Sequence, residues 1–322
     1  MQKLLLILLC LPMVVLAQQT YVPDDNFEAY LEANGMGNGV PNDDYVTTAN
    51  INTVTSLNVI NENIADLTGI ENFTDLTTLA CDSNQLNSFD ISNNTALTNL
   101  QCYSNQLTTL DVSVCTALTS LQCSYQQINS LDVSNNTALT HLMCSVNSIT
   151  SLDVSNNTAL ILLNCNTNSL SNLDVSNNTA LQYLYCYYNQ LTTLNLTNNT
   201  SLTSFRCENN NLISLDIRNG NNINMISAPL IPKFTNNPQL YCIDVDDANY
   251  STANWTVANG NIDPQHYFSD NCSGTTSINE HTTSKKLLKV IDLLGKKTKP
   301  QTNIPLIEIY DDGTVEKRIT ID

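Results

Sequence analysis

The chain has 322 residues, with 30 Asp and Glu against 12 Lys and Arg and a formal net charge of −18 at pH 7. Residues 18–284 alone hold 24 acidic and three basic side chains. Because binding to a phosphate backbone needs a basic surface, this composition excludes a nucleic-acid partner. The long apolar run at the amino terminus is too short for a spanning helix, so we expect a chain that does not cross a membrane.

Residues 1–17 have the pattern of a secretory signal peptide. Lys3 supplies a positive charge, an apolar core runs from Leu4 to Leu16, and Ala17 ends a plausible cleavage site. We therefore expect the mature protein to be exported.

Residues 18–53 predict an amino-terminal cap with a short helix. Phe27, Tyr30 and Leu31 share one helical face, and either aspartate of the preceding Pro-Asp-Asp-Asn run can cap the helix. Gly35 can end it. A cap is needed because the open edge of a terminal coil would otherwise pair with other chains.

A sequence repeat fills residues 54–222, with one variant copy of 22 residues followed by seven of 21. The pattern L-x-x-L-x-C-x-x-N-x-L at this period is the leucine-rich-repeat signature. The first leucines of the seven regular copies are Leu76, Leu97, Leu118, Leu139, Leu160, Leu181 and Leu202.

One such unit cannot bury its apolar face alone, so the copies must stack. Leucine and cysteine alternate with polar positions, which predicts one short strand per copy and a parallel sheet with strands about 4.8 Å apart. The Asp-Val-Ser-Asn-Asn-Thr segment that follows is too short and rich in turn residues for a regular helix. The predicted fold is an α/β leucine-rich-repeat solenoid. It has a parallel β-sheet on the concave face, an irregular or short-stranded convex side with little helix, and a cap at both ends.

Two inward-facing side-chain types recur once per copy. Buried amides must find partners, so we expect the asparagines to bond to the backbone of neighbouring coils as a ladder. Free cysteines behave as small buried hydrophobes, and disulfides or a metal site are the alternatives. The asparagine column is Asn84, Asn105, Asn147, Asn168, Asn189 and Asn210, with Gln126 in place of one asparagine. The cysteine column is Cys81, Cys102, Cys123, Cys144, Cys165, Cys186 and Cys207.

An aspartate also recurs once per copy. Each carboxylate could accept hydrogen bonds within its own turn, which is the interpretation that the sequence favours. The alternative is a divalent cation such as calcium, which needs about six to eight oxygen ligands. The aspartate column is Asp90, Asp111, Asp132, Asp153, Asp174 and Asp216, with Asn195 interrupting it.

Residues 223–272 predict a degenerate repeat and a carboxy-terminal cap. Cys242 and Cys272 stand outside the column in an exported chain, so they are the natural disulfide pair. The nearby aspartates at 244, 246 and 247 favour an acidic cap loop over a cation site. Cys115 replaces an asparagine of the other turns and is expected to be an isolated, partly exposed thiol.

A different composition marks the end of the chain. Residues 273–284 are a polar linker, and residues 285–322 carry eight of the twelve Lys and Arg. Lys289 to Lys296 predicts a strand and turn. Two further strands flank Asp311-Asp312-Gly313, which is a hairpin signal.

These patterns resemble known bacterial proteins. Residues 20–272 resemble the cysteine-containing leucine-rich repeats of Bacteroidetes surface proteins, through the 21-residue unit and both caps. The tail is similar to the sorting domain of the type IX (Por) secretion system, on Val290, Asp292, Gly295, Lys317 and Ile321. It departs from that domain in being short and in having Pro305-Leu306 where a Gly-x-Tyr usually stands. The resemblance implies that export machinery recognises the tail, and that the protein is then attached to the outer face of the outer membrane or released.

The exposed positions beside each strand leucine and cysteine predict the binding face. Tyrosines and an arginine are the residues that interface hot spots favour, and planar rings also suit sugars; stacked tyrosines could instead simply stabilise the sheet. The candidate ligand-binding residues are Tyr183, Tyr185, Tyr187, Tyr188, Arg206, Glu208, Asn164, Asn166, His141, Met143, Tyr103 and Tyr125.

No nucleophile, metal or paired-carboxylate constellation stands out, so we expect neither an enzyme nor a cofactor or bound metal. The sequence favours a binding protein that recognises a protein or glycan in adhesion. The alternatives are a glycan-capturing accessory protein in polysaccharide use and a self-assembling structural surface protein.

Overall fold

The computed structural model describes residues 17–225, 232–272, 287–291, 295–299, 306–310 and 315–318. The chain divides into two compact units, one ending at Cys272 and the other beginning at Ser273. Residues 1–16 of the expected signal peptide and the expected linker at 273–284 lie outside the described residues.

The amino-terminal cap contains the helix that the sequence predicts. Strand β1 (Gln19–Tyr21) pairs antiparallel with β2 (Tyr45–Thr47), and the helices are α1 (Asp25–Ala33) and α2 (Thr48–Ile51). Asp24 caps α1 by accepting hydrogen bonds from the backbone N–H groups of Asn26 and Phe27 at 3.0 and 2.9 Å. Its second carboxylate oxygen accepts from the Ala65 N–H at 2.7 Å, so one side chain both starts the helix and fastens the cap to the first coil.

The repeats form one parallel sheet with a strand from each coil. The central leucines pair in register from strand to strand, as in Leu163 with Leu184, and are buried. Phe205 takes the leucine position in the last strand. The strands are β3 (Ser56–Asn58), β4 (Thr78–Ala80), β5 (Asn99–Gln101), β6 (Ser120–Gln122), β7 (His141–Met143), β8 (Leu162–Asn164), β9 (Tyr183–Tyr185) and β11 (Ser204–Arg206).

A second parallel sheet forms on the turn side of the last coils. It has the order β10-β12-β13-β14, from β10 (Thr193–Asn195), β12 (Ser214–Asp216), β13 (Cys242–Asp244) and β14 (Tyr267–Ser269). Between residues 78 and 206 the described turns contain no helix. The predicted fold class, with short strands and little helix on the convex side, is confirmed.

The carboxy-terminal cap closes the solenoid with aromatic packing. Helix α3 (Ala248–Asn254) is followed by the buried Trp255, whose ring centroid lies 5.6 Å from that of Phe234 and 5.7 Å from that of Phe268. Cys242 and Cys272 are joined by a disulfide, with 5.8 Å between their Cα atoms. The cap therefore covers the last coil with large apolar side chains and a covalent link.

The asparagine column forms the ladder that the sequence predicts. The Asn189 Nδ2 donates to the carbonyls of Cys165 in the preceding coil and Cys186 in its own, both at 3.1 Å. Its Oδ1 accepts from the Leu170 N–H at 3.0 Å. Asn237 makes the same three kinds of bond, to Cys207, Phe234 and Leu212, and extends the ladder into the carboxy-terminal cap. The sequence analysis missed it because two prolines break the register before it.

A second asparagine ladder runs through the turns, and the sequence analysis did not predict it. The second asparagine of each Asn-Asn pair is buried and donates to two backbone carbonyls; the Asn157 Nδ2, for example, bonds to Val133 and Asn136 at 3.0 and 2.9 Å. Cys115 takes this inward position, so the expectation of a partly exposed thiol is wrong. It is fully buried, its Sγ lies 3.7 Å from the Asn94 carbonyl oxygen, and burial raises the pKa of the thiol to about 11.

The seven cysteines of the column are buried and free, as the sequence analysis expected. Burial raises the pKa of each thiol, in the case of Cys144 to about 12. A buried thiol with a raised pKa packs as a small apolar side chain, and it is a poor nucleophile because little of it is present as thiolate.

The carboxy-terminal unit is a three-stranded antiparallel sheet of order β15-β16-β17. Its strands are β15 (Leu287–Ile291), β16 (Leu306–Tyr310) and β17 (Val315–Arg318). The antiparallel pairing of β16 with β17 confirms the predicted hairpin. The Asp311-Asp312-Gly313 turn, Asp292, Pro305 and Ile321 lie outside the described residues.

One carboxylate of the first regular repeat, that of Asp82, is buried beside the cysteine column. Its exposed fraction is 1%, and its Oδ1 accepts from the Tyr103 N–H at 2.8 Å. Burial raises the pKa of Asp82 to about 6 from 3.8. The folded chain therefore binds this proton more tightly than the unfolded chain does, and the free energy of unfolding contributed by Asp82 falls as the pH rises from about 4 to about 6.

The asparagine ladder predicts that removing a single amide lowers the free energy of unfolding substantially. Asn189→Ala removes two donated bonds and leaves the Leu170 N–H unpaired in the interior, so we expect the free energy of unfolding to fall by about 2–4 kcal/mol. Asn177→Ala is the matched control, because the Asn177 amide is exposed and donates one bond to Ser155; we expect a loss below about 0.5 kcal/mol. Urea unfolding followed by circular dichroism measures both. Equal losses would show that the ladder contributes nothing beyond a surface contact.

The burial of Asp82 predicts that replacing it raises the free energy of unfolding, by an amount that depends on pH. Asp82→Asn keeps a side-chain oxygen for the Tyr103 N–H and removes the buried charge. We expect the variant to match the parent chain near pH 4 and to exceed its free energy of unfolding by about 1–3 kcal/mol at pH 7. Unfolding curves of both proteins at several pH values test this, and a difference that does not change with pH would contradict it.

Candidate functional site: the concave face

The predicted binding residues lie in rows that cross the parallel strands. Asn164 on β8 pairs with Tyr185 on β9, and Tyr185 pairs with Arg206 on β11. Met143 on β7 pairs with Asn164 and so starts the same row. Directly paired residues of a parallel sheet point to the same face, so these four side chains are neighbours.

The other predicted residues surround this row. Tyr183 pairs with Ser204, and a second row runs from His141 through Leu162 to Tyr183. The remaining positions follow the strand ends at Tyr103, Tyr125, Asn166, Tyr187, Tyr188 and Glu208. We call Tyr183, Tyr185, Tyr187 and Tyr188 the tyrosine cluster.

The exposure of these side chains differs from the simple alternation that the sequence suggests. Tyr188 and Tyr125 are 55% and 59% exposed, and the rest of the tyrosine cluster is half-buried. Asn166 and Glu208 are buried, so the expectation that they are exposed binding residues is wrong. Both are held by neighbouring polar side chains, Asn166 by Asn164 and Thr167 and Glu208 by Arg206.

Arg206 is fixed from two sides. Its guanidinium forms an ion pair with the buried Glu208, and its central carbon lies 4.5 Å from the ring centroid of Tyr187. Burial lowers the pKa of Arg206, but the hydrogen bond and charge of Glu208 outweigh it, and the pKa is raised overall. Glu208 therefore positions a permanently charged guanidinium over an aromatic ring.

Tyr187 is the centre of the aromatic group. Its ring centroid lies 5.7 Å from that of Tyr188, edge to face. Burial raises the pKa of Tyr187; Arg206 opposes this rise, and Glu208, Tyr125 and Tyr188 add to it. The Tyr185 hydroxyl lies 3.3 Å from the Ser204 Oγ, which ties the cluster to β11.

A left-handed backbone position follows each strand, and the sequence analysis missed it. The φ angles lie between 52° and 58° at Ser83, Ser104, Tyr125, Val146, Thr167, Tyr188 and Asn209. A non-glycine residue pays about 1–2 kcal/mol in this conformation, and valine or threonine is especially unfavourable there. No glycine occupies the column, although glycine would adopt this conformation without that cost.

The aspartates of the column accept hydrogen bonds within their own turns. Each aspartate from Asp90 to Asp174 accepts a hydrogen bond from the N–H of the serine two residues later, at 2.8–2.9 Å. These bonds, from the serine N–H and hydroxyl, lower the pKa of the carboxylates. Among the described residues no group of His, Cys, Asp and Glu is arranged to hold a metal ion.

The acidic cap residues also have structural partners. Asp244 accepts from the Cys272 N–H at 2.7 Å, Asp246 from the Gly220 N–H at 2.9 Å, and Asp247 caps α3 through the Asn249 and Tyr250 N–H groups. These bonds favour the acidic cap loop over a cation site.

The chain was compared with known proteins. No protein-family model and no curated protein matches it. Among solved structures, the chain is 32% identical to the functional domain of InlJ from Listeria monocytogenes, a domain described as including a cysteine ladder. The match covers 71% of this chain and 66% of that domain, slightly under two thirds of its length, with a TM-score of 0.42.

Two other solved structures are similar. Internalin C2 from Listeria monocytogenes is 22% identical with a TM-score of 0.54, over 61% of this chain and 90% of that one. The leucine-rich-repeat protein LIC12759 from Leptospira interrogans is 20% identical with a TM-score of 0.49, over 61% and 50%. The likeness to internalin C2 is one of fold. Together with the 21-residue register and the buried thiols, it makes the chain a leucine-rich-repeat solenoid with a cysteine ladder.

Proposed function

We propose that the chain is a non-catalytic binding protein that recognises a protein or glycan through its concave face in adhesion. The observation that carries this proposal is the tyrosine cluster with Arg206, where aromatic and cationic side chains converge on one exposed patch. Tyrosine and arginine dominate binding hot spots because each combines a large contact area with a polar group.

The rigidity of the patch supports recognition by a preformed surface. Strand β9 is paired on both sides, by β8 and β11, and Arg206 is held between Glu208 and Tyr187. A surface that is already ordered loses little conformational freedom on binding, so more of its contact energy appears as affinity.

The chemistry of the remaining reactive groups supports binding over catalysis. The column thiols are buried with raised pKa values. His266 is buried against Asp263 and the Asn237 carbonyl, and burial lowers its pKa. The His141 Nδ1 lies 2.9 Å from the Thr140 hydroxyl. That hydroxyl donates its proton to the Thr119 carbonyl at 3.0 Å, so it offers no proton to His141 in this arrangement. The column thiols and His266 form no nucleophile–base pair among the described residues.

Export and display at the outer surface are part of the proposal. The signal pattern of residues 1–17 and the Cys242–Cys272 disulfide both favour an oxidising compartment outside the cytoplasm. The three-stranded unit at the end of the chain would be the segment that export machinery recognises. Among the described residues no helix is long and apolar enough to cross a membrane.

The site predicts a loss of binding without a loss of fold. In the double variant Tyr185→Ala with Tyr187→Ala, we expect affinity to weaken at least about thirtyfold, because two hot-spot rings are removed. The melting temperature should move by less than about 4 °C, since both rings are only half-buried. Surface plasmon resonance against arrayed glycans and extracellular protein domains measures the binding.

The matched control is Tyr241→Ala with Tyr267→Ala, which removes two exposed tyrosines from the carboxy-terminal cap. It should bind as the parent chain does. Full binding by the concave double variant would refute the site.

Processing of the termini is a separate prediction. Because the first 17 residues have a signal pattern and the tail resembles a sorting module, we expect the protein recovered from its native producer to lack residues 1–17 and the segment after about residue 275. Intact mass spectrometry measures this. A chain that keeps its tail would remove the support that the tail gives to surface display.

A further inference from the structure

Lys233 lies beside Arg206 on the concave face. The two residues are partners in a parallel bridge, so Lys233 extends the row of Asn164, Tyr185 and Arg206 by one coil. Paired residues on neighbouring strands are about 4.8 Å apart and point to the same face. Two of the three basic residues within 18–284 are therefore adjacent, next to the tyrosine cluster.

In the described solenoid, most acidic side chains of the repeats lie on the turn side and few lie on the outward face of the first sheet. The aspartate column follows the turn side, where Asp216 lies on β12 of the second sheet and each carboxylate from Asp90 to Asp174 bonds within its own turn. The outward positions of the first sheet carry two carboxylates, the buried Asp82 at the first regular repeat and the buried Glu208. Glu208 is already paired with Arg206. Within the described residues Lys233 has no ion-pair partner, so the patch keeps an uncompensated positive charge.

We propose that this patch binds a carboxylate-bearing glycan, such as one with a uronate or sialate unit. The inference rests on the proposed function and names its ligand class. The sugar ring lies against Tyr183 and Tyr185, the carboxylate meets Lys233 and the exposed edge of Arg206, and a sugar hydroxyl bonds to the half-buried amide of Asn164. Charge complementarity selects the acidic unit, and the rings supply the apolar contact.

The backbone around the patch favours a glycan over an acidic peptide. An extended peptide gains most when it adds a strand to a free sheet edge. Strand β9 has β8 and β11 on its two sides, and β11 has the bridge at Lys233 on its outer side. A ligand here meets side chains only, and one beside the tyrosines is the half-buried amide of Asn164, which suits a sugar hydroxyl.

The test compares an acidic probe with its neutral twin. Oligogalacturonate and sialyl-lactose are titrated into the purified chain by isothermal calorimetry, alongside the methyl ester of each, which keeps the sugar and removes the charge. We expect at least one acid to bind, and its ester to bind at least about tenfold more weakly. Rising salt should weaken the acid more than the ester.

Three variants test whether the ammonium group of Lys233 recognises the carboxylate of the acid. Lys233→Gln should weaken the acid about fivefold and leave the ester unchanged, and Lys233→Arg should restore binding. Arg218→Gln is the matched control. It removes the same charge from the second sheet, where Arg218 pairs with Asp216, and should change nothing.

Several outcomes would overturn the inference. They are equal binding of acid and ester, an equal effect of Lys233→Gln and Arg218→Gln, binding of an acidic peptide instead, or no binding of either acid. The concave tyrosine double variant judges the proposed function separately. A protein ligand that depends on Tyr185 and Tyr187 would keep that function while removing the acidic-glycan inference.

Discussion

Each regular coil changes direction directly after its strand, and one inward-facing amide, from asparagine or in one coil from Gln126, holds the backbone at that point. The amide of Asn189 joins two carbonyls and one N–H group that the turn leaves without sheet partners. A buried backbone polar group without a partner is costly, so stacking depends on such an amide in each regular coil. The cysteine of each regular coil is fully buried and fills the space beside the turn as a small apolar side chain. Strand register, and with it the rows of the concave face, follows from this constraint.

The sequence was sufficient for the parts of the fold that repeat. Period, leucine positions and the first asparagine ladder could be predicted, because identical spacing in seven copies leaves one way to stack them. The analysis failed where the period is lost or where position alone is ambiguous. Asn237 and Lys233 continue the ladder and the sheet after a longer segment, so no fixed interval pointed to them. Cys115 was misjudged because its turn was taken as surface, although the equivalent asparagines face inward.

The candidate site was predictable only in part, for a related reason. Alternation along a strand tells which side chains leave the core, and it located Tyr183, Tyr185 and Arg206 correctly on the sheet face. It does not tell how far a side chain is covered by its neighbours. Glu208 has an outward position and is nevertheless buried, with its carboxylate paired to the guanidinium of Arg206. The left-handed turns at Val146 and Tyr188 carry no sequence signal, since the residue types that favour that conformation are absent there.

The position of Glu208 has a consequence for how the face can work. A carboxylate buried beside an arginine stabilises the guanidinium at one place, but it also cancels most of its charge, so Arg206 alone is a weak attraction for an anion. Lys233 supplies the charge that Arg206 has lost to Glu208, one coil further along the same row. The two residues then have separate roles. Arg206 gives a planar donor held over the Tyr187 ring, and Lys233 gives a compact ammonium charge. Most acidic side chains of the repeats lie in the turns, so a small cationic patch remains beside the aromatic rings of the concave face. Because Lys233 supplies the charge of that patch and Arg206 contacts Tyr187, removal of Lys233 should weaken recognition of an anion and leave the contact between Arg206 and Tyr187 intact.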